Sequence, residues 1–125
     1  MDTGKRKDDY KFYEGYEGEK EVIISMPDIA YHFWDGYFED IFGNPQTTDE
    51  GWSGFTRDYN EFINAFEDDC IECAIEPEEY LRDLMLYQEQ SFSYNETVDV
   101  LDCLITIMTT AKEKPYYPNT WRKKQ

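Results

Sequence analysis

The most restrictive feature of this 125-residue chain is an apolar pattern between Ser93 and Pro115. The apolar side chains recur at helical spacing along one face, and further ones widen it: Val98, Leu101, Ile105 and Met108, with Val100, Leu104 and Ile107. Ser93 and Glu96 form a capping-box pattern at the start, and Pro115 ends the segment. A helix that is apolar around most of its circumference belongs at the centre of a core. We therefore expect this helix to organise the fold.

Three more segments show helical patterns. Ser25–Gly43 begins with a capping serine and ends at a Gly-Asn-Pro sequence, and its apolar residues recur every four positions, as Ile29, Phe33, Tyr37 and Ile41. Asp58 opens a second helix, which either continues through Cys70 and Cys73 or is interrupted by the acids at 67–69. The third helix begins at Glu76, where a proline and three acids favour the first turn.

The N-terminal region has a strand-like pattern instead. Aromatic residues alternate with polar ones from Tyr10, and the run Glu21–Ser25 follows after Gly15 and Gly18, which indicates a short β-hairpin. The expected fold class is therefore mainly α, with about four helices packed as a single domain over 1–125 and a short N-terminal hairpin. An α+β fold is the alternative. Segments 1–9 and 119–125 are expected to be flexible tails.

The charge of the chain is distributed very unevenly. Residues 21–111 contain 21 acidic side chains and only two basic ones, Arg57 and Arg82, hence a net charge of −19. The other ten basic residues lie at the two ends. Such a body repels the phosphates of nucleic acid and suits a strongly basic protein partner. Solubility also selects for negative charge, so acidity alone does not establish binding.

The densest acidic patch lies in the second half of this body. Eight acids occur within the 17 positions from 67 to 83: Glu67, Asp68, Asp69, Glu72, Glu76, Glu78, Glu79 and Asp83. Like charges at this density repel one another and cost stability, which indicates a binding role. Aromatic anchors usually supply much of the affinity of such a surface. Trp52, Tyr80 and Tyr87 are the residues expected to be exposed beside it.

Catalytic and metal-binding patterns are weak in this sequence. Cys70 and Cys73 have a CxxC spacing, but neighbouring acids disfavour thiolate, and packed core thiols are the preferred interpretation over a metal or redox site. The single histidine, His32, lacks the partners of a triad and is interpreted as structural or superficial. No nucleotide-binding or hydrolase motif occurs. We therefore predict no enzyme activity, no cofactor and no metal.

Two segments resemble a known family. Asp28–Gly43 and Arg57–Phe62 are similar to parts of bacterial immunity proteins of contact-dependent growth inhibition systems. Those families often carry an aromatic F-x-x-Y-F-x-x-D element, matched here by Phe33/Trp34, Tyr37 and Phe38, with Asp40 one position nearer to Phe38 than the aspartate of that element. The ending Tyr116-Tyr117-Pro118-Asn119-x-Trp121 is also similar to theirs. The resemblance implies a small cytosolic protein that binds and blocks one toxin domain, commonly a nuclease.

The sequence thus predicts an inhibitor whose acidic surface covers the basic active-site cleft of a cognate toxin domain. The expected partner is the nuclease domain of a contact-dependent effector, with no nucleic acid or membrane bound, and the free chain is expected to be a monomer. The absence of an export signal and the odd number of cysteines indicate the cytoplasm. The alternative function is a phage-type nucleic-acid mimic that inhibits a host DNA- or RNA-binding protein. An enzyme would instead need a deep pocket that holds His32 or two close carboxylates.

Overall fold

The computed structural model describes residues 7–45, 51–63, 70–114 and 118–123. Its elements, in chain order, are β1 (Lys7–Phe12), β2 (Glu21–Ser25), β3 (Ile29–Trp34), α1 (Asp35–Phe42), α2 (Gly54–Ile63), β4 (Cys70–Ala74), α3 (Pro77–Met85), α4 (Glu96–Glu113) and β5 (Asn119–Lys123). The fold is therefore α+β. The expectation of a mainly α domain is wrong, because segments assigned to helices or tails form strands of one sheet.

The five strands form a mixed sheet in the order β1-β3-β2-β5-β4. β1 pairs with β3 in parallel, and the other neighbours are antiparallel. The expected hairpin between β1 and β2 does not form, because β3 lies between these strands. The hairpin is instead β2–β3, and its connection is closed by the Met26 amide, which donates to the Ile29 carbonyl at 2.8 Å.

The first half of the expected helix Ser25–Gly43 is a strand. Ile29 and Phe33 are four positions apart, which is a multiple of two, so the same spacing also fits the alternation of a strand. β-branched and aromatic side chains, which dominate 29–34, favour a pleated surface. Pairing with β1 and β2 on both sides then decides in favour of the strand, and helix α1 begins only at Asp35.

The segment that contains the two spaced cysteines also differs from expectation. α2 ends at Ile63, residues 64–69 lie outside the described part of the chain, and Cys70–Ala74 forms β4. The helical spacing that would place Cys70 and Cys73 on one face therefore does not apply. α3 begins as expected, with the Glu76 carboxylate accepting a hydrogen bond from the Glu79 amide and Pro77 in the first turn.

Both expected tails contribute strands. Lys7–Phe12 is the edge strand β1, and Asn119–Lys123 is β5, which lies inside the sheet between β2 and β4. The expectation of flexible tails is therefore corrected for residues 7–9 and 119–123. Pairing with β2 and β4 satisfies the backbone hydrogen-bonding groups of β5 on both sides. The composition of the segment does not indicate this stabilisation, because it comes from the neighbouring strands. The register pairs Lys123 with Cys70 at the end of this ladder.

One hydrophobic core joins the sheet to the helices. Buried side chains of β2 and β3 meet those of all four helices, the largest being Phe33, Phe38, Phe42, Phe55, Tyr80, Tyr87, Leu104 and Met108. α4 contributes buried residues from Thr97 to Ala111, so it belongs to the core as expected, but Val98 of its predicted apolar face is 50% exposed. α4 packs against α1 and α3, and α2 packs against α1 and α3 on its own side of the core.

The start of α4 is capped by a residue from another helix. The expected capping box of Ser93 and Glu96 is not formed, and the preceding Asn95 makes no capping bond through its side chain. Instead, the Asp40 carboxylate of α1 accepts hydrogen bonds from the Ser93 amide at 2.9 Å, the Tyr94 amide at 3.0 Å and the Thr97 hydroxyl at 2.6 Å. Burial opposes ionisation of Asp40, but these bonds outweigh it, and its pKa is lowered.

Replacement of Asp40 by alanine is therefore expected to lower the free energy of unfolding by about 1–2 kcal/mol at neutral pH, the range measured for lost caps. Urea unfolding monitored by circular dichroism measures this change. The neighbouring Glu39→Ala, at an exposed position, should change it by less than about 0.5 kcal/mol. Equal losses in the two variants would contradict the assignment of Asp40 as the cap of α4.

Candidate protein-binding surface and cleft

The structure disperses the eight acids that the sequence groups together. Glu67, Asp68 and Asp69 lie outside the described residues, and Glu72 lies in β4. Glu76 and Glu78 are exposed at the start of α3, whereas Glu79 is half-buried and Asp83 is buried. Of the predicted patch, Glu76 and Glu78 are thus the described carboxylates that are well placed to meet a partner.

Glu79 has a structural role between α2 and α3. Its Oε2 atom accepts a hydrogen bond from the Gly54 amide at 2.9 Å and one from Arg57 Nη1 at 2.8 Å. Gly54 has a φ of +55°, and a Cβ atom there would lie 2.9 Å from Asp83 Cβ, so the close approach of the two helices requires glycine. Both features fix α2 against α3.

A buried polar network continues this contact. Asp83 Oδ2 accepts from the Thr56 amide at 3.0 Å, and Asp83 Oδ1 accepts from the Thr56 hydroxyl at 2.8 Å. Because the single hydroxyl hydrogen of Thr56 is used, the Tyr87 hydroxyl, 2.6 Å away, donates to Thr56. Burial raises the pKa of Asp83 to about 6 against these bonds, helped by the charges of Asp58 and Glu79.

Tyr80 belongs to the same contact. Its hydroxyl donates to Asp58 Oδ2, and Arg57 Nη2 donates to the Tyr80 oxygen at 3.1 Å. Tyr80 is 1% exposed and Tyr87 is fully buried. The expectation that these tyrosines are exposed anchors is therefore wrong, because both rings pack in the core. The Tyr80 hydroxyl donates a hydrogen bond to the buried Asp58 carboxylate, and the Tyr87 hydroxyl donates one to Thr56. Asp83 is removed from the predicted surface for the same reason.

Trp52 is the aromatic residue of the predicted surface that is exposed, at 47%. It precedes Gly54 by two residues, so its Cα atom lies within about 7 Å of the Gly54 Cα atom. The Gly54 amide is bonded to Glu79 of α3. Trp52 therefore lies near the first turn of α3, on the same part of the molecule as Glu76 and Glu78.

His32 is a buried residue of the sheet. Its Nε2 atom is 2.8 Å from Asp8 Oδ1, its Nδ1 atom contacts Glu21, and its ring stacks on Tyr10 with centroids 4.1 Å apart. This histidine therefore joins β1, β3 and β2 across the face of the sheet. Within the described residues, no metal-binding cluster of His, Cys, Asp or Glu occurs. His32 also does not line the cleft near Trp34 that is described in the next paragraph.

A cleft of about 770 Å³ lies where the β1–β2 connection, the β3–α1 junction and α2 meet. Aromatic and acidic side chains dominate the described part of its lining, which includes Gly18, Glu19, Lys20, Trp34, Asp35, Gly36, Glu39, Tyr59, Phe62 and Ile63. None of these residues was predicted as a site residue. They come from three separate parts of the chain, and no local sequence pattern links them.

Trp34 is held rigidly at this cleft. Its indole stacks on Tyr16 with ring centroids 4.1 Å apart and an interplanar angle of 4°, and Tyr37 and Tyr94 meet it edge-on. Its Nε1 atom donates to Glu19 Oε1 at 3.2 Å. A Cβ atom on Gly36 would lie 2.4 Å from the indole, which explains a glycine inside a helix.

Comparisons with known proteins identify no relative: no family model, curated protein or solved structure matches this chain. Function must therefore be inferred from the chain's own surface. Across the parts of the chain that the structure describes, none of the helices has the length and apolar character needed to cross a lipid bilayer.

Proposed function

We propose that this chain is an immunity-type inhibitor that binds a basic toxin domain, a nuclease by the resemblance noted above, and covers its active-site cleft. The observation that carries the proposal is the balance of exposed charge. Among the described residues, fourteen acids are exposed: Asp8, Glu14, Glu17, Glu19, Asp28, Glu39, Glu61, Glu76, Glu78, Glu89, Glu96, Asp99, Asp102 and Glu113. Six basic residues are exposed within the same described residues: Lys7, Lys11, Lys20, Arg82, Lys112 and Lys114.

Little of this negative charge is neutralised internally. Among the described side chains, His32 and Arg57 are the positive partners of the ion pairs, and Lys7, Lys11, Lys20, Lys112 and Lys114 take part in none. The field of the carboxylates therefore extends into solvent. A field of this kind raises association rates with a basic protein toward about 10⁸ M⁻¹s⁻¹ at low ionic strength.

The exposed acids lie on all four helices and on the β1–β2 connection, so charge alone does not define one docking face. The first turn of α3 is the best candidate within the predicted surface, because it combines exposed Glu76 and Glu78 with the nearby exposed Trp52. Large aromatic residues next to charge are typical of energetically dominant contacts in interfaces. The buried network between α2 and α3 keeps this region rigid, which reduces the entropy lost on binding.

The test first asks whether a neighbouring gene encodes a contact-dependent effector, as the proposal requires, and then uses the toxin domain of that effector. We expect an equimolar amount of the chain to abolish the nuclease activity of that domain. We also expect the association rate to fall at least about tenfold when the ionic strength rises from about 10 mM to about 1 M, because the Debye length falls from about 30 to about 3 Å. Stopped-flow fluorescence measures the rate.

A pair of matched variants locates the contact. Glu76→Gln with Glu78→Gln, at the N-cap and first turn of α3, and Asp99→Asn with Asp102→Asn, in α4, remove the same charge at exposed positions. Glutamine at position 76 keeps an oxygen that can accept from the Glu79 amide. The first pair should increase the dissociation rate as well as slow association, and the second should affect association alone. Unchanged nuclease activity, the absence of an encoded toxin domain, or inhibition of a host DNA-binding protein instead would contradict the proposal.

A further inference from the structure

The cleft beside Trp34 has the chemistry of a cation-binding site. Three rings contribute to its lining, from Trp34, Tyr59 and Phe62, and so do three carboxylates, from Glu19, Asp35 and Glu39. Lys20 is the basic one among the described lining residues, so these residues together carry a net charge of −2. Aromatic rings attract cations through the negative potential of their faces, and carboxylates attract them directly.

The parts of this site are ordered before any ligand binds. The stack of Tyr16 on Trp34 fixes one wall, and the bond from the Trp34 indole holds Glu19 beside it. The Asp35 amide donates to the Lys20 carbonyl at 2.9 Å, which joins the β1–β2 connection to the start of α1. The opposite side comes from α2, through Tyr59 and Phe62, which are anchored in buried positions. Preorganised groups bind without the entropy cost of ordering them.

We propose that this cleft receives the guanidinium group of an arginine side chain presented by the partner protein. An arginine fits better than a lysine, because its planar group is weakly hydrated, stacks on aromatic rings and donates two parallel hydrogen bonds to a carboxylate. Its methylene stem contacts the apolar lining while its charge meets Glu19 and Glu39. The source of the arginine rests on the proposed function, whereas the affinity of the cleft for a guanidinium group does not.

The experiment titrates the ¹⁵N-labelled chain with N-acetyl-arginine amide at low ionic strength and follows the Trp34 indole N–H signal, which Trp34→Phe assigns. N-acetyl-citrulline amide is the control ligand, because it has nearly the same shape without the charge. We expect a saturable shift with the arginine compound, binding at least about tenfold weaker with the citrulline compound, and intermediate affinity with N-acetyl-lysine amide.

Protein variants test the lining. Glu19→Gln and Glu39→Gln are exposed changes that should each weaken the arginine compound by about fivefold to tenfold. Glu89→Gln removes the same charge from an exposed position that does not line the cleft, and it should weaken binding by less than about twofold. The spectra of the variants show whether each remains folded.

Equal affinity for the arginine and citrulline compounds, equal losses in Glu19→Gln and Glu89→Gln, or no saturable shift would overturn the cleft assignment. Equal affinity for arginine and lysine would overturn the preference for guanidinium. If the cleft binds the probe but the chain does not inhibit the toxin domain, the proposed function fails and the site remains. If the chain inhibits the toxin domain but the cleft does not bind the probe, this inference alone fails.

Discussion

Replacement of Phe38 by alanine is expected to lower the free energy of unfolding by about 3–5 kcal/mol, the range for large aromatic truncations in cores. Phe38 is fully buried, and its ring lies 5.6–5.9 Å from the rings of Phe33, Phe42 and Phe55, measured between centroids. These neighbours belong to β3, α1 and α2, so the cavity would open where the sheet meets two helices. Urea unfolding of the two proteins measures the difference.

Val98→Ala is the matched control for this truncation. Val98 lies on α4 but is 50% exposed, so its replacement should change the free energy of unfolding by no more than about 0.5 kcal/mol. A loss below about 1.5 kcal/mol for Phe38→Ala would contradict the described packing, because it would mean that the cluster collapses around the missing ring.

The second large effect concerns the pH dependence of stability. Asp83→Asn is expected to remove a stability loss of about 2–2.5 kcal/mol that the native protein undergoes between pH 4 and pH 7, since a tenfold change in proton affinity corresponds to about 1.4 kcal/mol. Burial raises the pKa of Asp83 from 3.8 to about 6. The folded state therefore holds this proton at pH values where the unfolded state has released it.

The sign follows from proton linkage. Between pH 4 and pH 6 the folded protein binds more protons at Asp83 than the unfolded protein, so its stability falls as the pH rises and levels off above pH 6. Asparagine keeps an oxygen that can accept from Thr56 but does not titrate. Urea unfolding of both proteins at pH 4 and pH 7 gives the difference between the two pH dependences.

Other titrating groups cancel in this comparison. Asp40 has the opposite sign, because its lowered pKa stabilises the fold above the pKa of the unfolded state and the gain is lost as the pH falls through the folded pKa. Both proteins contain it. Val98→Ala, which changes no titrating group, should leave the native pH dependence in place. An unchanged pH dependence in Asp83→Asn would show that this carboxylate ionises normally in the fold.

Helices α3 and α4 were predicted correctly from local signals. The apolar periodicity of α4 and the proline and acids at the start of α3 act within a few residues, so they are visible in the sequence. The helix ends were less accurate. The cap of α4 is Asp40 in place of the expected capping box, and Asp40 lies 53 positions before Ser93 in the chain. No local sequence pattern predicts a capping residue at that distance.

The sheet was largely missed, for a related reason. β3 has a spacing that fits either a helix or a strand, and β5 has a basic, polar sequence that suits an exposed tail. Each becomes a strand because two neighbouring strands satisfy its backbone hydrogen bonds. These neighbours are distant in the chain, as with β4 and β5, so the pairing energy that decides the structure is not a property of the segment itself.

The amino-acid sequence by itself determined the negative charge, the central helix and the aromatic content of the core, because these depend on composition and on short-range periodicity. Only the tertiary structure decided which carboxylates face solvent, which are buried beside Thr56 and Tyr80, and which meet Trp34 in the cleft. Burial and hydrogen bonding depend on contacts between residues far apart in the chain. An acidic residue can therefore attract a partner if it is exposed, or stabilise the core if it is buried and hydrogen-bonded, and its position in the fold determines which.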